Sequence, residues 1–191
     1  NVNGAAGIWT YKLVEAYPTG ENWRAALSVY RDSATPKLSN QENLELMRLM
    51  RKADAMESER DYFEYADAAD PRRLPGEVVS LLEEGLAKGD VSSSSVYVKE
   101  TLAAARGSVA ADKASLGPSE RDANRSKGGV DIARAQMGLG IANVGQGNWS
   151  GAKQAFSSVT GARKTIANFW SLWIDQKSAA TAAPTQSPAA S

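Results

Sequence analysis

Apolar positions recur along most of the chain at the three-to-four-residue spacing of an amphipathic helix. Ile8, Trp9, Leu13 and Tyr17 trace one such face over residues 5–17, and Pro18-Thr19-Gly20 breaks it. A second helix follows over 22–33, capped by Asn22, with Trp23, Ala26, Leu27 and Tyr30 on one side. Further helices are predicted over 41–56 (Leu44, Leu46, Met47, Met50), 59–69 (Tyr62, Phe63, Tyr65, Ala66) and 75–88 (Val78, Val79, Leu81, Leu82, Leu86). Asp70-Pro71 stops the fourth helix, because the residue before proline avoids the α region. Pro75 suits the first turn of the fifth, and Gly89 stands just past its end.

Beyond the Ser92–Ser95 run, a long alanine-rich helix is predicted over 96–116, ended by Gly117-Pro118. Residues 121–129 read as a polar, glycine-bearing loop. Two helices over 131–144 and 148–159 are joined by Gly145-Gln146-Gly147. A last helix over 162–176 carries Ile166, Phe169, Trp170 and Trp173. From Lys177 onward the Ala/Thr/Pro/Ser composition predicts a disordered tail, 177–191. No strand is predicted: Val96-Tyr97-Val98 is too short to carry one.

Helix pairs of similar length point to a repeat array. The clearest unit is AQMGLGIANVGQGNWSGAKQAFSSV, residues 135–159. It resembles a tetratricopeptide repeat (TPR), with Leu139-Gly140, Ala142, Gly147, Trp149, Ala152 and Phe156 at the pattern's positions. Gly140 and Ala152 would let two helices cross closely, while Trp149 and Phe156 fill the space beside them. A looser copy falls on Leu13, Tyr17, Trp23, Ala26 and Tyr30, with Val14 in the glycine's place. A third can be placed on Tyr62, Tyr65, Ala66, Val78, Leu82 and Gly85. The helix over 41–56 does not fit the pattern and makes the array irregular.

Three segments, NWRAALSVYRDSA, RDYFEYADAADPRRLPGEVVSLLEEGLAKG and VTGARKTIANFWSLWIDQ, together resemble the C-terminal half of a group of bacterial TPR proteins that carry a secretion signal. The resemblance implies a periplasmic or envelope location, which composition does not address. It also makes 121–129 look like a seam where a repeat is shortened or missing. Asn at position 1 is consistent with a processed or cut piece of a longer protein.

Composition narrows the chemistry. The 191 residues hold 22 Lys+Arg, 22 Asp+Glu, no His and no Cys. An imidazole base, a thiolate, a disulfide and His- or Cys-ligated metal are therefore excluded. Balanced charge argues against a nucleic-acid binder. The basic stretch Arg121, Arg125 and Lys127 lacks interleaved aromatics and reads as an exposed loop. No apolar run reaches the roughly 20 residues of a membrane span.

Ser150-Gly151-Ala152-Lys153 matches the Ser-x-x-Lys signature of penicillin-binding enzymes, but no partner motif accompanies it. Gly138-Leu139-Gly140 opens like a dinucleotide fingerprint, yet no strand precedes it and Asn143 replaces the third glycine. The carboxylates Glu57, Glu59, Asp61, Glu64, Glu83 and Glu84 read as a salt-paired face rather than a catalytic pair. Trp9, Trp23 and Trp149 are expected in the core, and Trp170 and Trp173 are expected to seal the last repeat.

The expectation is an all-α chain: antiparallel helix pairs stacked over 1–176 as a TPR-like α-solenoid with a C-terminal capping helix. It would be a non-catalytic scaffold, without metal or cofactor, that binds a protein or peptide. The rivals are a purely structural module docking on the rest of its own chain, and a Ser/Lys or carboxylate hydrolase. By analogy with TPR grooves, the partner-facing residues would be Tyr11 and Glu15, then Arg60, Phe63 and Asp67, then Arg134, Met137 and Ile141. Their mixed apolar and acidic character argues against clamping a terminal carboxylate and for a helix or an extended peptide.

Overall fold

A computed structural model describes residues 2–125 and 131–182, with side-chain surroundings defined over 7–112 and 131–181. The described residues are all-helical, without a strand. The α-helices are α1 (Val2–Ala16), α2 (Gly20–Ser33), α3 (Asn40–Lys52), α4 (Glu59–Ala69), α5 (Pro75–Lys88), α6 (Val96–Arg125), α7 (Ile132–Gly145), α8 (Trp149–Ser157) and α9 (Lys164–Ala182). Two compact units divide the chain. The first comprises Asn1–Thr10 and Gly20–Gly129, the second Tyr11–Thr19 and Val130–Ser191.

In the first unit each helix from α2 to α6 packs on the next. Every second helix is also bridged by side chains. Arg24 and Arg31 of α2, seven apart, meet Asp61 and Glu64 of α4. Phe63 of α4 packs on Tyr97 of α6, ring centroids 4.2 Å apart. On the other side, Arg48 and Arg51 of α3 meet Glu77 and Glu84 of α5, and Lys88 of α5 reaches Asp54 just past the end of α3. The helices thus alternate between two layers, α2/α4/α6 and α3/α5. α3, which does not fit the repeat pattern in sequence, takes its place in this alternation.

The physical reason is the wide buried face of α3. Leu44, Leu46, Met47, Leu49 and Met50 are at most 1% exposed, and Glu45 is buried with them. The apolar residues cover this face, and the polar Gln41, Arg48 and Lys52 lie on the opposite side. Ser39 starts it with a capping box: the Glu42 N–H donates to Ser39 Oγ, and the Ser39 N–H donates to Glu42 Oε2. The third-copy residues Tyr62, Tyr65, Ala66, Val78, Leu82 and Gly85 are buried as expected. Gly85 is needed there, because a Cβ would stand 2.6 Å from Val91 Cγ2 and 2.8 Å from the Tyr62 ring.

Two helices run further than predicted. The main chain of α6 continues through Gly117-Pro118 to Arg125, so 121–125 are helical rather than loop. A proline removes one helical hydrogen bond, and the good helix formers on both sides outweigh that loss. The remainder of the expected seam, 126–129, lies outside the described residues. Likewise α9 extends to Ala182, past the predicted start of the tail, on alanines that favour helix. The expected disorder of 183–191 falls outside the described residues.

The second unit gathers Val14, Met137, Val144, Ala152, Phe156, Val159, Ile166, Phe169, Trp170 and Ile174 into its core. Gly140 and Phe156 meet as the repeat pattern requires: a Cβ at Gly140 would overlap the Phe156 ring. Phe156 in turn stacks on Trp170 at 5.8 Å. Gly147 turns α7 into α8 at φ +71°, where glycine carries no penalty. Asn148 braces the turn, accepting from the Gly151 N–H and donating to Asn143.

Candidate functional site

The expected groove residues differ in burial, and they are divided between the two units. Met137 is fully buried, which corrects its placement in a groove: it belongs to the inner face of α7 with Gly140 and Val144. Ile141 is half-buried, and Arg134 is exposed. Phe63 is covered by Tyr97, whose hydroxyl donates to Asp67 Oδ1 at 2.6 Å. Burial and the Asp67 carboxylate push that hydroxyl's pKa upward. Arg60 is exposed and donates from Nε to Glu64. These three residues share the layer of α2, α4 and α6.

Tyr11 is half-buried against Phe169, with centroids 5.1 Å apart. Burial, then the negative charges of Glu15 and Asp175, raise its pKa. The carbonyl of Val14 accepts a hydrogen bond from Gln176 Nε2. The buried side of α1 is therefore set by Tyr11 and Val14. Its apolar row, expected in the core, faces outward: Ile8 is 62% exposed, Trp9 74%, Leu13 43% and Tyr17 65%. Trp9, Leu13 and Tyr17 are spaced by four, so they stand one above the other on one helix face. Glu15 is also exposed. Periodicity located this stripe correctly and gave it the wrong side, because Tyr11 and Val14 supply a second apolar pair on the opposite face.

Trp149 is another correction. It is 37% exposed and touches Trp173 edge-on at 6.0 Å, lying over the aromatic cluster rather than inside it. Trp23, Trp170 and Trp173 are buried as expected. Leu139 and Ile132 are exposed on α7.

The acidic residues are paired, but mostly with arginines distant in sequence, and Asp61 is buried rather than on a solvated face. Asp61 is only 4% exposed and accepts from Arg24, from Ser58 and from the Glu57 N–H. Burial alone would raise its carboxyl, but these donors outweigh it and hold the pKa below the usual range. Glu77 behaves alike: burial raises it, and the two-pronged Arg48 contact with the Tyr65 hydroxyl brings it below. Glu83 meets Arg106, Glu84 meets Arg51 and Lys88, and Glu59 accepts from the Ser92 N–H. Lys153, the lysine of the Ser-x-x-Lys match, is paired with Asp175 at 2.6 Å, while Ser150 is exposed. Among the described residues no group of three His, Cys, Asp or Glu side chains could hold a metal ion. None of the described helices is long and apolar enough to cross a membrane.

A polar cleft of about 340 Å³ opens in the first unit between the end of α2, the start of α3 and α4. Of its lining only Arg60 belonged to the expected groove. Arg31, Lys37 and Asn43 carry no motif and come together only in the folded chain. Comparison with protein-family models, with curated proteins and with solved structures finds no match.

Proposed function

We propose that this chain is a non-catalytic, TPR-like helical scaffold that holds another protein or peptide, as part of a larger bacterial envelope protein. The observation that carries the reading is the outward row of Trp9 and Leu13 on α1, continued by Tyr17 just past its end, with Ile8 exposed beside it. Single exposed apolar residues are ordinary, but a contiguous apolar row containing tryptophan and tyrosine has the composition of a binding surface. The two-layer alternation of α2–α6 and the Gly140–Phe156 seat support a repeat array, in which neighbouring helix pairs stack and one surface stays open to partners. The envelope location rests on the sequence resemblance alone.

The proposed surface therefore leaves the α4 and α7 positions and, on α1, lies on the side away from Tyr11. A helix or extended segment of a partner would bury its own apolar side chains on this row. The test is the triple variant Trp9→Ser, Leu13→Gln, Tyr17→Ser. It should keep the helical circular dichroism of the parent and lose a stoichiometric partner that the parent retains when purified from its native cells. A parent that stays monomeric and partner-free, with the triple variant indistinguishable from it, would overturn the proposal.

A further inference from the structure

α7 is apolar on two opposite sides. Its buried side carries Met137, Gly140 and Val144. Its solvent side carries a strip of Ile132, Ala135, Gly138, Leu139 and Ala142, with Gly145 at the end. Ile132 is 69% exposed and Leu139 53%, and nothing lies within 4 Å of a Cβ added at Gly138 or Gly145. Single exposed apolar residues are ordinary. A solvent-facing strip without one polar side chain is not, because a surface helix keeps its polar residues on that side. The neighbouring helices do so: α8 shows Lys153 and Gln154 to solvent, and α9 shows Lys164, Asn168 and Asp175. Arg134 is the one charged residue of α7, and it stands about 100° round the helix from Ala135.

The strip is complementary to itself. With a two-fold axis crossing α7 between Gly138 and Leu139, a second α7 runs antiparallel, and residues equally far from the axis stand at one level. Leu139 of one copy then shares its level with Gly138 of the other, Ile132 with Gly145, and Ala135 with Ala142. Each large side chain falls beside a glycine and the remaining levels are alanine pairs, so the helices can approach to the ~8 Å lower limit of helix packing. The two Leu139 side chains adjoin at the axis. The two Arg134 residues stay roughly 13 Å apart along the helices, farther than the ~8 Å over which physiological salt leaves charges coupled. A helix carrying surface charges would bury them here without partners.

We propose that α7 pairs with α7 of a second copy of this chain about that axis. The contact belongs wholly to the second unit and is separate from the row on α1. Two helices of this length bury on the order of 1,000 Å² in total, the low end for a specific interface, so the dimer dissociates in the micromolar range. The pairing is isologous and closed: once it forms, neither copy offers the strip to a third chain.

Analytical ultracentrifugation of the full chain tests this. The parent should pass from monomer to dimer as its concentration rises through the micromolar range, without larger species. Leu139→Glu and Leu139→Lys should each weaken the dimer more than about a hundredfold, because like charges then meet at the axis, with unchanged circular dichroism. Mixed in equal amounts, these two variants should regain a dimer, since opposite charges then adjoin. The triple variant Trp9→Ser, Leu13→Gln, Tyr17→Ser should dimerise as the parent does, which keeps failure of the α1 surface and failure of this one apart. A parent that sediments as a monomer at millimolar concentration would overturn the inference and leave the strip to another protein or to a further part of its own chain. So would a dimer that survives Leu139→Glu, one that disappears in the triple variant, or one that the mixture does not restore.

Discussion

Arg24 Nη1 closes on Asp61 Oδ2 at 2.5 Å, across 37 positions of sequence, and ties α2 to the N-terminus of α4. Arg24 also donates to the Ala55 carbonyl, so one guanidinium fixes both the helix and the loop before it. Removing it leaves a carboxylate that is nearly inaccessible to water with only its local N–H and hydroxyl donors. Arg24→Ala should therefore cost about 2–3 kcal/mol in urea unfolding. A loss below about 0.5 kcal/mol, the ordinary range for a surface change, would show the contact to be incidental.

Acid should unfold the first unit through the same carboxylates. Asp61, Glu77 and Glu84 all titrate below the usual range: burial pushes each upward, and their arginine partners outweigh it. The unfolded chain takes up these protons at about pH 4, while the folded chain resists until lower pH. Their contribution is complete above the unfolded value and is lost as pH falls through the folded one. Stability measured against pH should be level from about pH 7 to pH 5 and drop steeply below about pH 4. A flat or rising profile on acidification would contradict the assignment.

Two glycines of α7 should respond oppositely to the same change. At Gly140 a Cβ overlaps the Phe156 ring, so Gly140→Ala should cost about 1–3 kcal/mol. At Gly138 nothing lies within 4 Å of an added Cβ, so Gly138→Ala should be stabilising by up to about 1 kcal/mol. Thermal melts of the pair check this, and equal effects would mean that the α7–α8 seat is not close-packed.

Helix positions were largely legible, because apolar spacing, Pro71, Pro75 and Gly89 act locally. The Gly140–Phe156 seat was legible too, since a small residue and a ring at repeat spacing have few other uses. The phase of α1 was not. Ile8, Trp9, Leu13 and Tyr17 make the stronger stripe, yet Tyr11 and Val14 find partners in Phe169 and Gln176, more than 150 positions away. The place of α3 was hidden because Arg48 and Arg51 find their carboxylates on α5, at Glu77 and Glu84. The cleft was hidden for a third reason. Arg31, Lys37, Asn43 and Arg60 are ordinary surface types in sequence, and only the meeting of α2, α3 and α4 makes them neighbours.

The scaffold reading stands or falls on the outward face of α1. A photo-activatable amino acid placed at Trp9 in the native cell, beside a control at the exposed Arg72, measures what lies against that face. The account predicts a discrete cross-link to one other polypeptide from position 9 and none from position 72. Equal, diffuse labelling from both positions, or no adduct from position 9, would contradict it.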